Sequence, residues 1–156
     1  KYGLTRACLV TLLKHDFPVQ ILTKSPLVVR DMDVICQFSD IEVGLTLTTD
    51  DDRIRQIFEP KAPSIDERLH ALRTIHERGI RTYAFIGPAL PMSPATLADK
   101  LAPHVDRVLI DRMNYASKTK GMYRVHQLGQ WLDPDYVGCV IEEIMKRLDG
   151  IPVEVC

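Results

Sequence analysis

The sequence has almost no net charge, no long apolar run and no closely spaced cysteines, and each absence removes a class of protein. Lysine and arginine total 20 against 21 aspartate and glutamate, a net charge of -1, so no global field draws the chain to nucleic acid or an anionic membrane. Any such contact would need a local basic patch. Charge interrupts every apolar stretch well short of the roughly 18 residues that span a bilayer, and no transmembrane segment is expected. Lys1 to Lys14 has a modest apolar run without a cleavage site or a preceding charged region; no signal peptide is expected, and a cytoplasmic setting follows. Cys8, Cys36, Cys139 and Cys156 are too far apart for a CxxC or metal-knuckle pattern and are expected to be buried or free thiols. His15, His70, His76, His104 and His126 show no paired ligand spacing, so no metal site is assigned. There is neither an internal repeat nor a low-complexity run.

What is present is ordinary globular composition, 46% hydrophobic and 26% charged over 156 residues, enough for one core and one domain. The chain opens in a helical pattern with Cys8, Leu9, Leu12 and Leu13 on one face, stopped by Asp16 to Pro18. Val19 to Thr23 reads as a strand, followed by a turn at Ser25 and Pro26 and a short helix after Asp31 through Met32, Ile35 and Phe38. Val43 to Thr49 is a continuous buried strand, and the aspartates at 50, 51 and 52 cap a helix running through Ile57. Ser64 and Glu67 form a capping box for a helix whose stripe is Ile65, Leu69, Leu72 and Ile75, stopped by Gly79. Thr82 to Ile86 is the third strand. Ser93 and Pro94 start a helix that Pro103 ends, and Val108 to Ile110 is the fourth strand. Helices from about Ser117 to Leu128 and from Pro134 to Leu148 follow, the latter capped by Asp133 and closed by Gly150. Val153 to Cys156 is a fifth strand candidate.

Strands alternating with helical crossovers imply an α/β fold with a parallel sheet, either doubly wound or an arc of a (β/α) barrel. A closed eightfold barrel takes about 250 residues. The expectation is therefore a partial parallel barrel of about five strands with helices outside, lacking the N-terminal strands, and with the Val19 edge unpaired unless a second copy covers it.

Ligands in such folds bind at the carboxyl ends of the strands. The candidates there are Thr23, Lys24 and Ser25; Thr46, Thr48 and Thr49; Ile86, Gly87 and Pro88; and Asp111, Arg112 and Asn114. Lys24 offers a cation to a carboxylate or phosphate, threonine hydroxyls can bond a sugar diol, and Gly87 lets backbone approach a flat ring. Together they suit a nucleoside with an anionic tail. The plainer alternatives remain open: a solvated loop lysine, and threonines chosen for strand shape. Lys118, Lys120 and Arg124, interleaved with Tyr115 and Tyr123, could contact a nucleic-acid backbone or could be a solvated helix start.

The run FEPKAPSIDER, Phe58 to Arg68, resembles the signature after the fourth barrel strand of radical S-adenosylmethionine (SAM) proteins of the spore photoproduct lyase type. QILTKS (Gln20 to Ser25), VGLTLTT (Val43 to Thr49) and YAFIGP (Tyr83 to Pro88) extend the resemblance in order and spacing over nearly the whole chain. The resemblance implies the C-terminal part of that barrel. It assigns Lys24 to the SAM carboxylate, Thr46 to the ribose, and Gly87 with Ile86 and Pro88 to the adenine, with Thr48 beside them. It also implies a 4Fe-4S cluster that reduces SAM to a 5′-deoxyadenosyl radical, chemistry carried by the cofactor, and damaged DNA as substrate in the lyase branch. Glu59 and Arg68 are read as an ion pair bracing the crossover.

The departure from that pattern is the missing CxxxCxxC loop, together with the glycine-rich motif of the next strand. The chain is accordingly expected to be a fragment of a longer enzyme, inactive alone. A non-catalytic nucleotide-binding or assembly module without the cluster is the second reading. An unrelated barrel hydrolase or aldolase using Asp111 or Lys24 is the third.

Overall fold

A computed structural model describes residues 3–112 and 116–156, leaving aside the side chains of residues 116 and 117. Helix α1 (Leu4–Leu13) leads into strand β1 (Val19–Thr23), a 3-10 turn (Pro26–Asp31) and the short α2 (Met32–Ile35). Strand β2 (Ile41–Thr46) is followed by α3 (Asp52–Phe58) and α4 (Ile65–His76), β3 (Arg81–Ile86) by α5 (Pro94–Leu101), and β4 (Arg107–Ile110) by α6 (Ala116–Val125) and α7 (Pro134–Arg147) before β5 (Val153–Val155). Asn114 and Tyr115, named above, lie outside the described residues.

The strands form one five-stranded sheet in the order β1-β2-β3-β4-β5, every neighbour parallel. A doubly wound sheet requires a reversal of strand order, and this order has none. With right-handed crossovers, an unreversed order puts every helix on the same side. The burial pattern agrees. Val43 and Leu45 of β2, Ala84 and Ile86 of β3, and Val108 and Ile110 of β4 join Leu72 and Ile75 of α4, Leu97 of α5 and Ile144 of α7 in one apolar cluster. Each of the valine, leucine and isoleucine side chains contributes about 1.5–3 kcal/mol by leaving water.

Local signals set the helix boundaries. The Ser64 hydroxyl accepts the Glu67 amide and the Glu67 carboxylate accepts the Ser64 amide, a complete capping box. Ser93 and Asp133 cap α5 and α7, and Asp51, rather than its two neighbours, caps α3. Gly79 and Gly150 end α4 and α7 at φ of 76° and 84°, backbone that side chains with a Cβ rarely adopt.

The opposite face of the sheet is different in kind. Parallel register brings Gln20, Glu42, Tyr83 and Arg107 together there. Arg107 donates Nε and one terminal nitrogen to the two Glu42 oxygens, each at 2.7 Å, and Gln20 donates to the same carboxylate at 3.1 Å. The Arg107 guanidinium also stacks on the Tyr83 ring at 4.7 Å, and the Tyr83 hydroxyl reaches over Gly44 to donate to the Ile21 carbonyl at 3.3 Å. One polar assembly thus fastens four strands. Hydrogen bonding to Arg107 holds the Glu42 carboxyl below its usual range. Among the described residues, no helix is long and apolar enough to cross a membrane.

Candidate functional site

At the carboxyl end of the sheet, Lys24 follows directly on β1, Thr46 is the last residue of β2, and Gly87 follows directly on β3. Thr23 pairs with Leu45, and Thr46 with Phe85, so Lys24 stands level with Thr46 while Gly87 lies two residues further along the neighbouring strand. Two side chains from the FEPKAPSIDER run connect two of them. Glu59, at the end of α3, receives the Lys24 ammonium at 3.5 Å on one oxygen and Arg68 at 2.9 Å on the other. Arg68, wholly buried, also donates to the Thr46 carbonyl at 3.1 Å and the Pro63 carbonyl at 3.0 Å. A charge buried that deeply requires such complete pairing. The expected Glu59–Arg68 ion pair is therefore formed, and it frames the rim as well as the crossover.

The rim between β2 and β3 is tied down as firmly. The Leu90 amide donates to the Thr48 carbonyl at 3.0 Å, and the Thr49 hydroxyl to the Pro91 carbonyl at 2.7 Å. The Ser93 amide donates to Asp50 at 2.7 Å. Thr48 is completely buried, and its hydroxyl has no hydrogen-bond partner among the described residues.

The remaining candidates divide by face. Ile86 belongs to the helix-side core cluster and is fully buried. Its carbonyl accepts the Asp111 amide at 3.0 Å. Gly87 is buried beside a flat ring, but that ring is the phenyl of Phe85, which would overlap any Cβ at position 87. The Gly87–Pro88 peptide bond is cis. Thr23 and Ser25 shape their own turn: the Ser25 amide donates to the Thr23 hydroxyl, and the Ser25 hydroxyl accepts the Leu27 amide. Arg112, Lys118, Lys120 and Arg124 are exposed, whereas Tyr123 is buried against Phe58 with ring centroids 4.7 Å apart. Burial pushes the Tyr123 phenol up to about 12.

Sequence reasoning missed Phe85 as the ring beside Gly87, and it missed the Glu42–Arg107–Tyr83 assembly. The first was detectable, since residues two apart on a strand share a face. The second needs the register. The four cysteines are free and exposed, and no group of three or more metal-ligating side chains occurs among the described residues.

Models of known protein families give no match to the chain. An uncharacterized protein of Methanocaldococcus jannaschii is 46% identical over 90 residues, 58% of this chain and 34% of its own length. An uncharacterized protein of Acidianus two-tailed virus is 29% identical over 91 residues, 58% of this chain and 30% of its own. The chain thus spans about a third of the length of these curated relatives.

Proposed function

We propose that this chain is an arc of a radical SAM barrel of the spore photoproduct lyase type, supplying the carboxylate, ribose and adenine contacts of the SAM site. The observation that carries the reading is the chain Lys24–Glu59–Arg68–Thr46, which joins a half-exposed cation to the end of the neighbouring strand through two side chains of the signature run. The unreversed strand order, with helices on one side, supports a barrel over a doubly wound sheet. The Thr48 hydroxyl, buried without a partner, suits a rim that gains one from a bound diol. In this reading Lys24 holds the carboxylate, Thr46 and Thr48 meet the ribose, and the ring of Phe85 and the backbone at Gly87 and Pro88 bound the adenine.

The cluster does not fit these residues, because the cysteines stand at 8, 36, 139 and 156 with no triplet. Its ligands would have to come from outside them. The direct test is calorimetric titration of SAM into the anaerobically reconstituted intact natural protein. Lys24→Ala is expected to weaken binding about tenfold or more, since a hydrogen bond to a charged group contributes about 1.5–3 kcal/mol. Unchanged affinity would take Lys24 out of the site.

A nucleic-acid substrate has its own support. Residues 112–132 contain Arg112, Lys118, Lys120 and Arg124 and no carboxylate, so the rest of the chain carries a net charge of -5. In the chain this basic segment follows the carboxyl end of β4, the end of the sheet that carries the rim, and a polyanion drawn to it would lie near the bound cofactor.

The second reading, a non-catalytic module, is favoured by the rim's self-sufficiency: Lys24 already has a counter-ion, and Phe85 already covers Gly87. It predicts no SAM binding to the intact, reconstituted protein.

A further inference from the structure

We infer that Glu59 is a resident counter-ion for Lys24, which an incoming ligand carboxylate displaces while Arg68 keeps Glu59 in place. The two halves of the Glu59 carboxylate are held unequally. Arg68 is fully buried and 2.9 Å from one oxygen, whereas the Lys24 side chain is 39% exposed and 3.5 Å from the other. Charge-assisted N–H···O bonds run to about 2.7–2.9 Å, so the Arg68 contact is a full bond and the Lys24 contact a loose one.

Arg68 is further fixed by the Pro63 and Thr46 carbonyls. Glu59 is fixed by its own backbone, whose amide donates to Arg55 at 2.7 Å and whose carbonyl accepts Ala62 at 3.0 Å. Lys24 is thus the mobile member of the trio. When it turns to a ligand, Glu59 keeps its buried partner and no charge is stranded. The trio carries one net positive charge, so a single carboxylate neutralises it, and Glu59 competes with that carboxylate for the same ammonium. The inference rests on the SAM reading only for the identity of the ligand; its chemistry is that of any carboxylate reaching the β1–β2 rim.

The experiment follows the Lys24 ammonium by nitrogen-15 NMR in the intact natural protein, its signal identified by its loss in Lys24→Arg. Acetate is titrated against chloride of equal ionic strength, and SAM is titrated separately with calorimetry alongside. Acetate is expected to move the Lys24 signal in the wild type, and Glu59→Gln is expected to tighten acetate binding about two- to fivefold by removing the competitor. A Lys24 signal unmoved by acetate, or weaker acetate binding in Glu59→Gln, overturns the inference. Should Glu59→Gln fail to fold because Arg68 is left unpaired, the wild-type titration decides alone. Acetate that moves Lys24 without SAM binding keeps the counter-ion and ends the SAM reading. SAM that binds without moving Lys24 does the reverse.

Discussion

Thr48 has no exposed surface, and its hydroxyl has no partner among the described residues, a condition that costs about 1–3 kcal/mol. Thr48→Val removes the hydroxyl and keeps the branched shape, so it is expected to raise stability by about 1 kcal/mol, read as a higher thermal midpoint. The same variant is expected to bind SAM less tightly, so that gain and loss come from one oxygen. A lower midpoint would mean that the hydroxyl is satisfied in solution. Gly44 makes the opposite demand. Any Cβ there overlaps the Tyr83 ring, which is itself held by Arg107 and the Ile21 carbonyl. Gly44→Ala is expected to cost about 1–3 kcal/mol by overpacking. In a double-mutant cycle with Tyr83→Ala the two losses should fall short of additive, because removing the ring removes the clash. Full additivity would place the ring elsewhere.

Between elements, the crossover from α3 to α4 is stitched by Asp52, which accepts from Arg55 at 2.8 Å and from the Ile65 amide at 3.2 Å. Hydrogen bonding to Arg55, aided by the Ile65 amide, lowers the Asp52 carboxyl to about 2. A carboxyl depressed in the fold contributes stability above its ordinary value near 4, and that contribution drains away as pH falls toward about 2. The side chain is 41% exposed, so screening limits it to about 1 kcal/mol. Asp52→Asn should lose that amount at neutral pH and show a flatter decline between pH 4 and 2 in denaturant titrations. Curves that stay parallel across that window would rule the stitch out. Further along, α6 presents Lys118, Lys120 and Arg124 to solvent. Replacing all three with glutamine should reduce the slope of log affinity for DNA against log salt by about 3 if each meets a phosphate. The caps at Ser64, Ser93 and Asp133 were legible in the sequence because a cap is made between residues two or three apart. The end of β2 was not. Val43 to Thr49 is apolar or β-branched throughout, yet the ladder stops at Thr46, because the loop after β3 takes the Thr48 carbonyl. The partners of Glu42 were hidden for the same reason: Arg107 lies 65 positions away, and only the register reveals the pair.

For the whole molecule, the question is what the sheet's first edge faces. The Val19 amide donates to the Asp40 carbonyl on the β2 side; parallel geometry then turns the backbone amides and carbonyls of Val19, Ile21 and Thr23 toward β2, and those of Gln20 and Leu22 away from it. Leu22 is 47% exposed, and Leu4, Phe17 and Leu27 nearby along the chain are exposed as well. An unpaired edge strand invites pairing with another strand. Hydrogen exchange reads it amide by amide. In the 156-residue chain, Ile21 and Thr23 should be protected, while Gln20 and Leu22 exchange at nearly free rates. In the intact natural protein, the proposed barrel requires that Gln20 and Leu22 become protected too, independently of protein concentration, because the added strand belongs to the same chain. Protection that grows with concentration would assign the edge to a second copy. Rapid exchange at both positions in the intact protein would leave an open, one-sided sheet, and the barrel with its enclosed SAM site would have to be abandoned.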